Sequence, residues 1–209
     1  MKGAVEYMND HYYSKSPSAQ SNRKMFTYRL REKEFRFITD TGVFSKGEVD
    51  FGSRFLIETF QAPDLKGDIL DVGCGYGPIG LSIAATEGNR TIDMIDINER
   101  AVELTKENAM INNIENVQVF QSDLFEQVER KQYAAILTNP PIRAGKKIVH
   151  IIFEESYYRL QPNGELWVVI QKKQGAPSAI RKLEELFSDV EVVDKKKGYF
   201  IIKAKKIDY

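Results

Sequence analysis

Short apolar runs alternate with amphipathic stretches along most of the chain. The runs at 69–72, 91–95, 117–120, 134–137 and 166–170 are largely continuous, as strands covered on both faces tend to be. Between them the apolar positions take helical spacing. Ala101, Val102, Thr105 and Ala109 share one face, with Asn98 placed to cap the helix. Ile148, Ile152 and Phe153 form a second stripe with Tyr157 and Leu160. A third segment opens near Pro177, a residue suited to a first helical turn, and presents Ile180, Leu183 and Phe187. Alternating units of this kind predict an α/β chain whose parallel sheet is doubly wound, with helices on both faces. The last two runs, 190–193 and 199–204, are separated only by residues 194–198. That is too short for a helical crossover, so they should form a hairpin with one antiparallel strand.

The first sixty residues differ. Residues 11–22 are polar with interspersed aromatics and no sustained period, while 26–30 and 34–38 read as a small hairpin before the turn-like 39–42. Residues 1–60 are expected to form an extension packed against a 61–209 core, the whole making one structural domain of 209 residues. No apolar run approaches the ~20 residues of a membrane span, and the opening residues lack a signal-peptide stretch. Cys74 is the single cysteine and His11 and His150 the only histidines, so neither an internal disulfide nor a familiar zinc site is expected. These features point to a cytoplasmic, metal-free protein.

The formal net charge is zero but unevenly spread. Residues 1–60 carry 10 basic and 8 acidic groups, 61–140 carry 6 and 13, and 141–209 carry 14 and 9. An acidic middle between more basic ends could place a positive rim around a less positive pocket, or simply give a mixed solvated surface.

The candidate chemistry starts at Asp71-Val72-Gly73-Cys74-Gly75-Tyr76-Gly77, where an apolar run ends in alternating glycines. Gly73, Gly75 and Gly77 permit a tight turn and let a ligand approach the main chain. Gly75 to Gly80 also fits the dinucleotide pattern G-x-G-x-x-G, which is weak alone. Asp71, just ahead of the glycines, would repel a pyrophosphate but suits an ammonium or sulfonium charge, favouring a methionine nucleoside. Asp96 ends the next strand about 20 residues on, where a carboxylate can accept from two ribose hydroxyls, with Ile97 beside it. Asp123 and Leu124 follow the third strand, where Asp123 either accepts from an adenine amino group or merely caps a helix. Asp93 reads as structural and Cys74 as a small packing residue.

After the fourth strand comes Asn139-Pro140-Pro141-Ile142. Two prolines fix φ near −65°, offer no N–H, and hold the preceding residues extended. The result is a stiff corner exposing the Asn139 side-chain oxygen and the Pro140 carbonyl. Two neutral acceptors gripping a planar NH₂ would turn its delocalised lone pair toward an incoming methyl. Asn139 then aligns and accepts, and does not titrate.

Taken together, these motifs resemble the class I methyltransferases acting on exocyclic nitrogen. More narrowly, the chain is similar to the small-domain methyltransferase family that includes the 16S rRNA guanine-N2 enzymes. The narrower likeness rests on Gly42-Val43-Phe44-Ser45, Asp50-Phe51-Gly52-Ser53, Asn139 to Gly145, Lys172 to Ala176, and Lys197-Gly198-Tyr199. It implies a Rossmann-like fold, S-adenosylmethionine as cofactor, and ribosomal RNA or a small-subunit particle as partner. One departure is Ile142, at a position often aromatic in the superfamily, where the ring stacks on the target. The family's longer members also carry a second, N-terminal domain, so RNA recognition here would fall to the N-terminal extension and basic loops.

The expected site is therefore Asn139, Pro140 and Pro141 for catalysis. Asp71, Gly73, Gly75, Gly77, Asp96, Ile97, Asp123 and Leu124 would hold the cofactor, with Ser53 near its methionine end. Ile142, Arg143, Lys146, Lys147, Lys172 and Lys173 would ring the pocket mouth, with Phe44, Tyr12 or Tyr13 able to stack. Phosphate contact and solvated loop charge both fit the lysines. Lys195–Lys197, in the hairpin turn, are expected to lie farther away. The leading function is transfer of a methyl group to guanine N2 of rRNA. The alternatives are protein glutamine or adenine-N6 methylation, a non-catalytic RNA-binding or ribosome assembly factor, and, least favoured, an NAD-dependent oxidoreductase.

Overall fold

The computed structural model describes residues 20–43, 48–129 and 132–207. The predicted hairpin is present as β1 (Lys24–Leu30) and β2 (Lys33–Thr39), paired antiparallel. A seven-stranded sheet follows: β3 (Ile69–Val72), β4 (Ile92–Asp96), β5 (Val117–Gln121), β6 (Tyr133–Thr138), β7 (Leu160–Gln171), β8 (Asp189–Lys196) and β9 (Tyr199–Lys205). Its order is β5-β4-β3-β6-β7-β9-β8. The first five strands are mutually parallel, and β9 runs antiparallel to both β7 and β8. One antiparallel strand in an otherwise parallel Rossmann-like sheet is the arrangement read from the sequence.

Among the described residues, five helices cover the sheet: α1 (Phe51–Thr59), α2 (Pro78–Ala84), α3 (Glu99–Ile111), α4 (Lys146–Arg159) and α5 (Ala176–Leu186). Alternate residues of the central strands feed two cores. Ile69 packs with α1, α2, α3 and Phe35 and Phe37 of the hairpin, whereas Leu70 and Val72 pack with α4 and α5. Asn98 caps α3, accepting from the N–H groups of Arg100 and Ala101. One sequence expectation shifts: Leu160, placed on the α4 stripe, is instead the buried first residue of β7, its N–H still closing the last helical turn on Ser156.

The hairpin is clipped to α3 by a buried amide. Asn108 accepts from the Ile38 N–H at 2.7 Å and donates to the Ile38 carbonyl at 2.9 Å and the Tyr76 carbonyl at 2.8 Å. Asn112 repeats the pattern one turn on, with the Arg36 backbone. Side-chain amides thus satisfy an edge strand that, among the described residues, has no further strand beside it.

Candidate active site

The site lies at the carboxyl ends of β3, β4 and β6, where ligands bind in open α/β sheets. A cleft of about 450 Å³, counting the space at its mouth, is lined by Val72, Gly73, Ile95, Asp96, Ile97, Ser122, Leu124, Asn139, Pro141 and Ile152. Four predicted groups, the Gly73 loop, Asp96 with Ile97, Leu124, and Asn139 with Pro141, therefore meet in one cavity.

The glycine loop divides by role. Gly73 and Gly75 have φ of 76° and 59°, and a Cβ on either would meet nothing within 4 Å. Both face open space that a side chain would occupy. A Cβ on Gly77, in contrast, would lie 2.8 Å from Leu81 and 3.0 Å from Thr105, so this glycine serves helix packing. Asp96 braces the loop by accepting from the Gly75 N–H and from the Asn98 N–H, each at 2.9 Å. Burial raises its pKa, against those hydrogen bonds and one from Ile97. Lone pairs left on both oxygens can take a diol.

Asp71 lies beneath the loop and outside the cavity lining. Its Oδ2 accepts from the Gly80 N–H at 2.9 Å, while Oδ1 is buried without a hydrogen-bond partner. Burial above all, together with the Asp96 charge, pushes its carboxyl up to about 7 despite the Gly80 hydrogen bond. A buried carboxylate with one oxygen unanswered suits a cationic ligand next to the loop. The open glycines, the Asp96 acceptors and this charge fit a sulfonium nucleoside. Burial first, then the two nearby carboxyls, raises the Cys74 thiol, consistent with a packing residue and not a nucleophile.

Beyond β5, the Ser122 hydroxyl donates to the Leu124 carbonyl at 2.8 Å and accepts from the Gln127 N–H at 3.1 Å. This small turn holds Leu124 at a φ of 51° with its residue lining the cleft. Asp123 itself is absent from the lining.

The Asn139 corner is fixed from two sides. Thr138 donates to the Val72 carbonyl at 3.0 Å, tying the tip of β6 to that of β3. The Asn139 amide nitrogen lies 3.0 Å from Ser53 Oγ and 3.3 Å from Asp50 Oδ2. Asp50 is also the N-cap of α1, accepting from the Ser53 N–H at 3.0 Å. A carboxylate can only accept, so this contact assigns the amide face: nitrogen toward α1, Oδ1 free as an acceptor. Ser53, expected near the methionine end of the cofactor, is buried against Asn139 and does not line the cleft. Sequence reasoning gives Asp50 no role of its own, and its N-cap position ahead of α1 is the signal that could have found it.

Ile142, Arg143 and Lys146 follow the corner through a short 3₁₀ turn, Ile142–Ala144, with Arg143, Lys146 and Lys147 exposed. Lys172 and Lys173 lie in a second such turn at the end of β7 and are also exposed. Lys195–Lys197 sit at the turn after β8, which runs parallel to β7 and so ends at the same end of the sheet as the site, on the edge strand three places from β6. There the Lys172 N–H donates to the Gly198 carbonyl at 2.8 Å. Phe44, Tyr12, Tyr13 and His11 lie outside the described residues. Among the described residues, no helix is long and apolar enough to cross a membrane, and no group of three or more metal-ligating side chains occurs.

The family model for the methyltransferase small domain matches residues 34–203. The chain is 65% identical over 201 residues to the uncharacterized protein YbxB of Bacillus subtilis, covering 96% of this chain and all of that one. It is 32% identical over 187 residues to the ribosomal RNA small subunit methyltransferase C of Vibrio parahaemolyticus, covering 88% of this chain but 53% of the relative. Among solved structures it resembles the T. thermophilus 16S rRNA N2 methyltransferase RsmC in complex with AdoMet and guanosine. That match has a TM-score of 0.79 and 26% identity, over 91% of this chain and 52% of the other. The chain thus spans about half the length of its named rRNA methyltransferase relatives. It belongs to the methyltransferase small domain family, whose methyl donor is S-adenosylmethionine.

Proposed function

We propose that this chain methylates the exocyclic N2 amino group of a guanine in ribosomal RNA, in the cytoplasm. The observation that carries the reading is the pinned Asn139 amide, whose nitrogen is committed to Asp50 and Ser53 and whose oxygen is left to accept. Pro140 follows it in the chain, buried and outside the cleft lining, and its carbonyl is the second acceptor of this reading. Two neutral acceptors suit an NH₂ group, which presents two donors and a poorly nucleophilic lone pair.

S-adenosylmethionine supplies an electrophilic methyl carbon on a sulfonium. Asn139 Oδ1 and the Pro140 carbonyl take the two N–H bonds and turn the nitrogen lone pair toward that carbon. With the donor held by the glycine loop and Asp96, one N–C bond would replace one S–C bond, and the S–C bonding pair would be left on sulfur. The alkylated nitrogen becomes strongly acidic and releases a proton to water. Neither acceptor needs to hold that proton, which is why an amide suffices where a carboxylate might be expected. The rRNA assignment draws on the named relatives, which are rRNA methyltransferases.

Labelled S-adenosylmethionine should mark rRNA or small-subunit particles, and nucleoside digestion should release N2-methylguanosine. Label only in a protein such as a release factor would replace this reading with glutamine methylation. Label on adenosine would move the target to N6.

A further inference from the structure

Ile142 leaves the proline side of the acceptor site without a ring, and two partly buried rings, Phe51 and Tyr199, lie outside the cleft lining beside the start of α1. Phe51 directly follows Asp50, whose carboxylate is 3.3 Å from the Asn139 amide nitrogen. Its ring centroid lies 5.3 Å from that of Tyr199, and Phe55 backs it at 5.7 Å. Tyr199 pairs with Gln171, the last residue of β7. Since β7 is the neighbour of β6, Tyr199 stands two strands from Asn139, a gap of roughly 10 Å. A base standing on the tip of β7 would fill that gap. Gly52 keeps the Tyr199 ring close to α1, because a Cβ there would sit 3.1 Å from Tyr199 Cε1. Both rings remain partly exposed. Two cations attend the pair: Arg54 is 5.5 Å and Lys197 5.1 Å from the Phe51 centroid. Arg54 is also held by the Tyr28 hydroxyl at 3.2 Å, whereas Lys197 has no acidic partner among the described residues.

We infer that Phe51, buttressed by Tyr199, is the stacking wall for the planar acceptor base, and that Lys197 takes a phosphate of the same nucleotide. The inference rests on the nucleobase reading above and supplies the π surface that Ile142 lacks. Each base has a π face, so stacking gives affinity, while the Asn139 corner reads the amino group. Lys197 rests over the ring until the base arrives and then transfers its charge to the backbone.

The test uses the full chain with S-adenosylmethionine and a short guanosine-containing rRNA fragment. Phe51→Leu keeps an apolar contact for Tyr199 but removes the π face. It should raise the RNA KM about 10-fold and leave cofactor affinity and Tm near wild type. Phe51→Trp should restore KM to within about threefold of wild type, with indole emission quenched as RNA stacks on it. Lys197→Ala should raise KM about threefold and flatten its salt dependence. A Phe51→Leu protein with wild-type KM, on RNA that wild type methylates, overturns the inference and leaves the proposed function standing. If Phe51→Leu does not fold, unquenched Phe51→Trp emission on a methylated RNA overturns it equally. Failure of wild type to label any nucleic acid overturns the substrate reading itself, and the inference with it.

Discussion

At the residue scale, the chemistry reduces to which face of Asn139 is offered. Asn139→Ala removes one acceptor and should lower kcat by 100-fold or more, in the range of oxyanion-type contacts. Cofactor affinity, measured by calorimetry, should change less than about threefold. Asp50→Asn keeps a competent N-cap but loses the acceptor-only constraint on the Asn139 amide. A kcat loss near 10-fold with Tm unchanged is expected, and an unaltered kcat would show that the amide needs no such anchor. Asp71 makes a separate pH prediction. Its folded pKa, about 7, lies above the ordinary carboxylate value, so the ligand-free fold favours the neutral form. The stability it contributes is present below the unfolded pKa and lost as pH rises through 7. A sulfonium ligand reverses that preference. Affinity for S-adenosylmethionine relative to S-adenosylhomocysteine, whose thioether lacks the sulfonium charge, should therefore rise between pH 6 and 8, and Asp71→Asn should flatten the trend. The placement of Asp71, Asp96 and Asn139 at or beside strand ends was legible in the sequence, because strand ends follow from apolar runs. The Asp50–Asn139 contact was not legible, since nothing local links residues 89 apart.

At the element scale, the sheet could be read because its central strands are buried on both faces and so write themselves as apolar runs. β6 is buried throughout and β3 likewise. β5, at the edge, is only partly buried and gave a weaker signal. How the N-terminal hairpin docks was only half legible: Phe35 and Phe37 supply its apolar contacts, but the amides that fix it, Asn108 and Asn112, lie about 70 residues along the chain on α3. Asn108 meets three buried backbone groups of the hairpin and the glycine loop. Asn108→Ala would leave them unpaired, each costing about 1–3 kcal/mol if no water enters. Urea unfolding should show a loss of at least ~2 kcal/mol, with amide exchange at Ile38 accelerating ahead of the β3 core. Equal protection at both places would mean that the apolar contacts of Phe35 and Phe37 suffice to hold the hairpin.

At the scale of the whole molecule, strand order decides which charges meet. A net charge of zero conceals a carboxyl-terminal third with 14 basic and 9 acidic groups. Several of those acids are already spent: Glu154 and Glu185 on Lys182, Glu155 on Arg159, Glu191 on Lys203. The exposed Lys172, Lys173, Lys196 and Lys197 have no acidic partner among the described residues and share one end of the sheet. Sequence spacing placed the hairpin turn but not the end of the sheet it reaches, which follows from β9 lying between β7 and β8. An unpaired basic rim beside an acidic cofactor cleft should bind a polyanion while the molecule as a whole stays neutral. Each phosphate contact with single-stranded RNA contributes about −0.7 to the slope of log K against log salt, so four would give a slope near −3. Lys172→Glu with Lys173→Glu should make that slope shallower by about 1.4 and weaken binding at low salt, while cofactor affinity stays constant. A wild-type slope near zero would remove the rim from RNA recognition and leave target choice to the pocket alone.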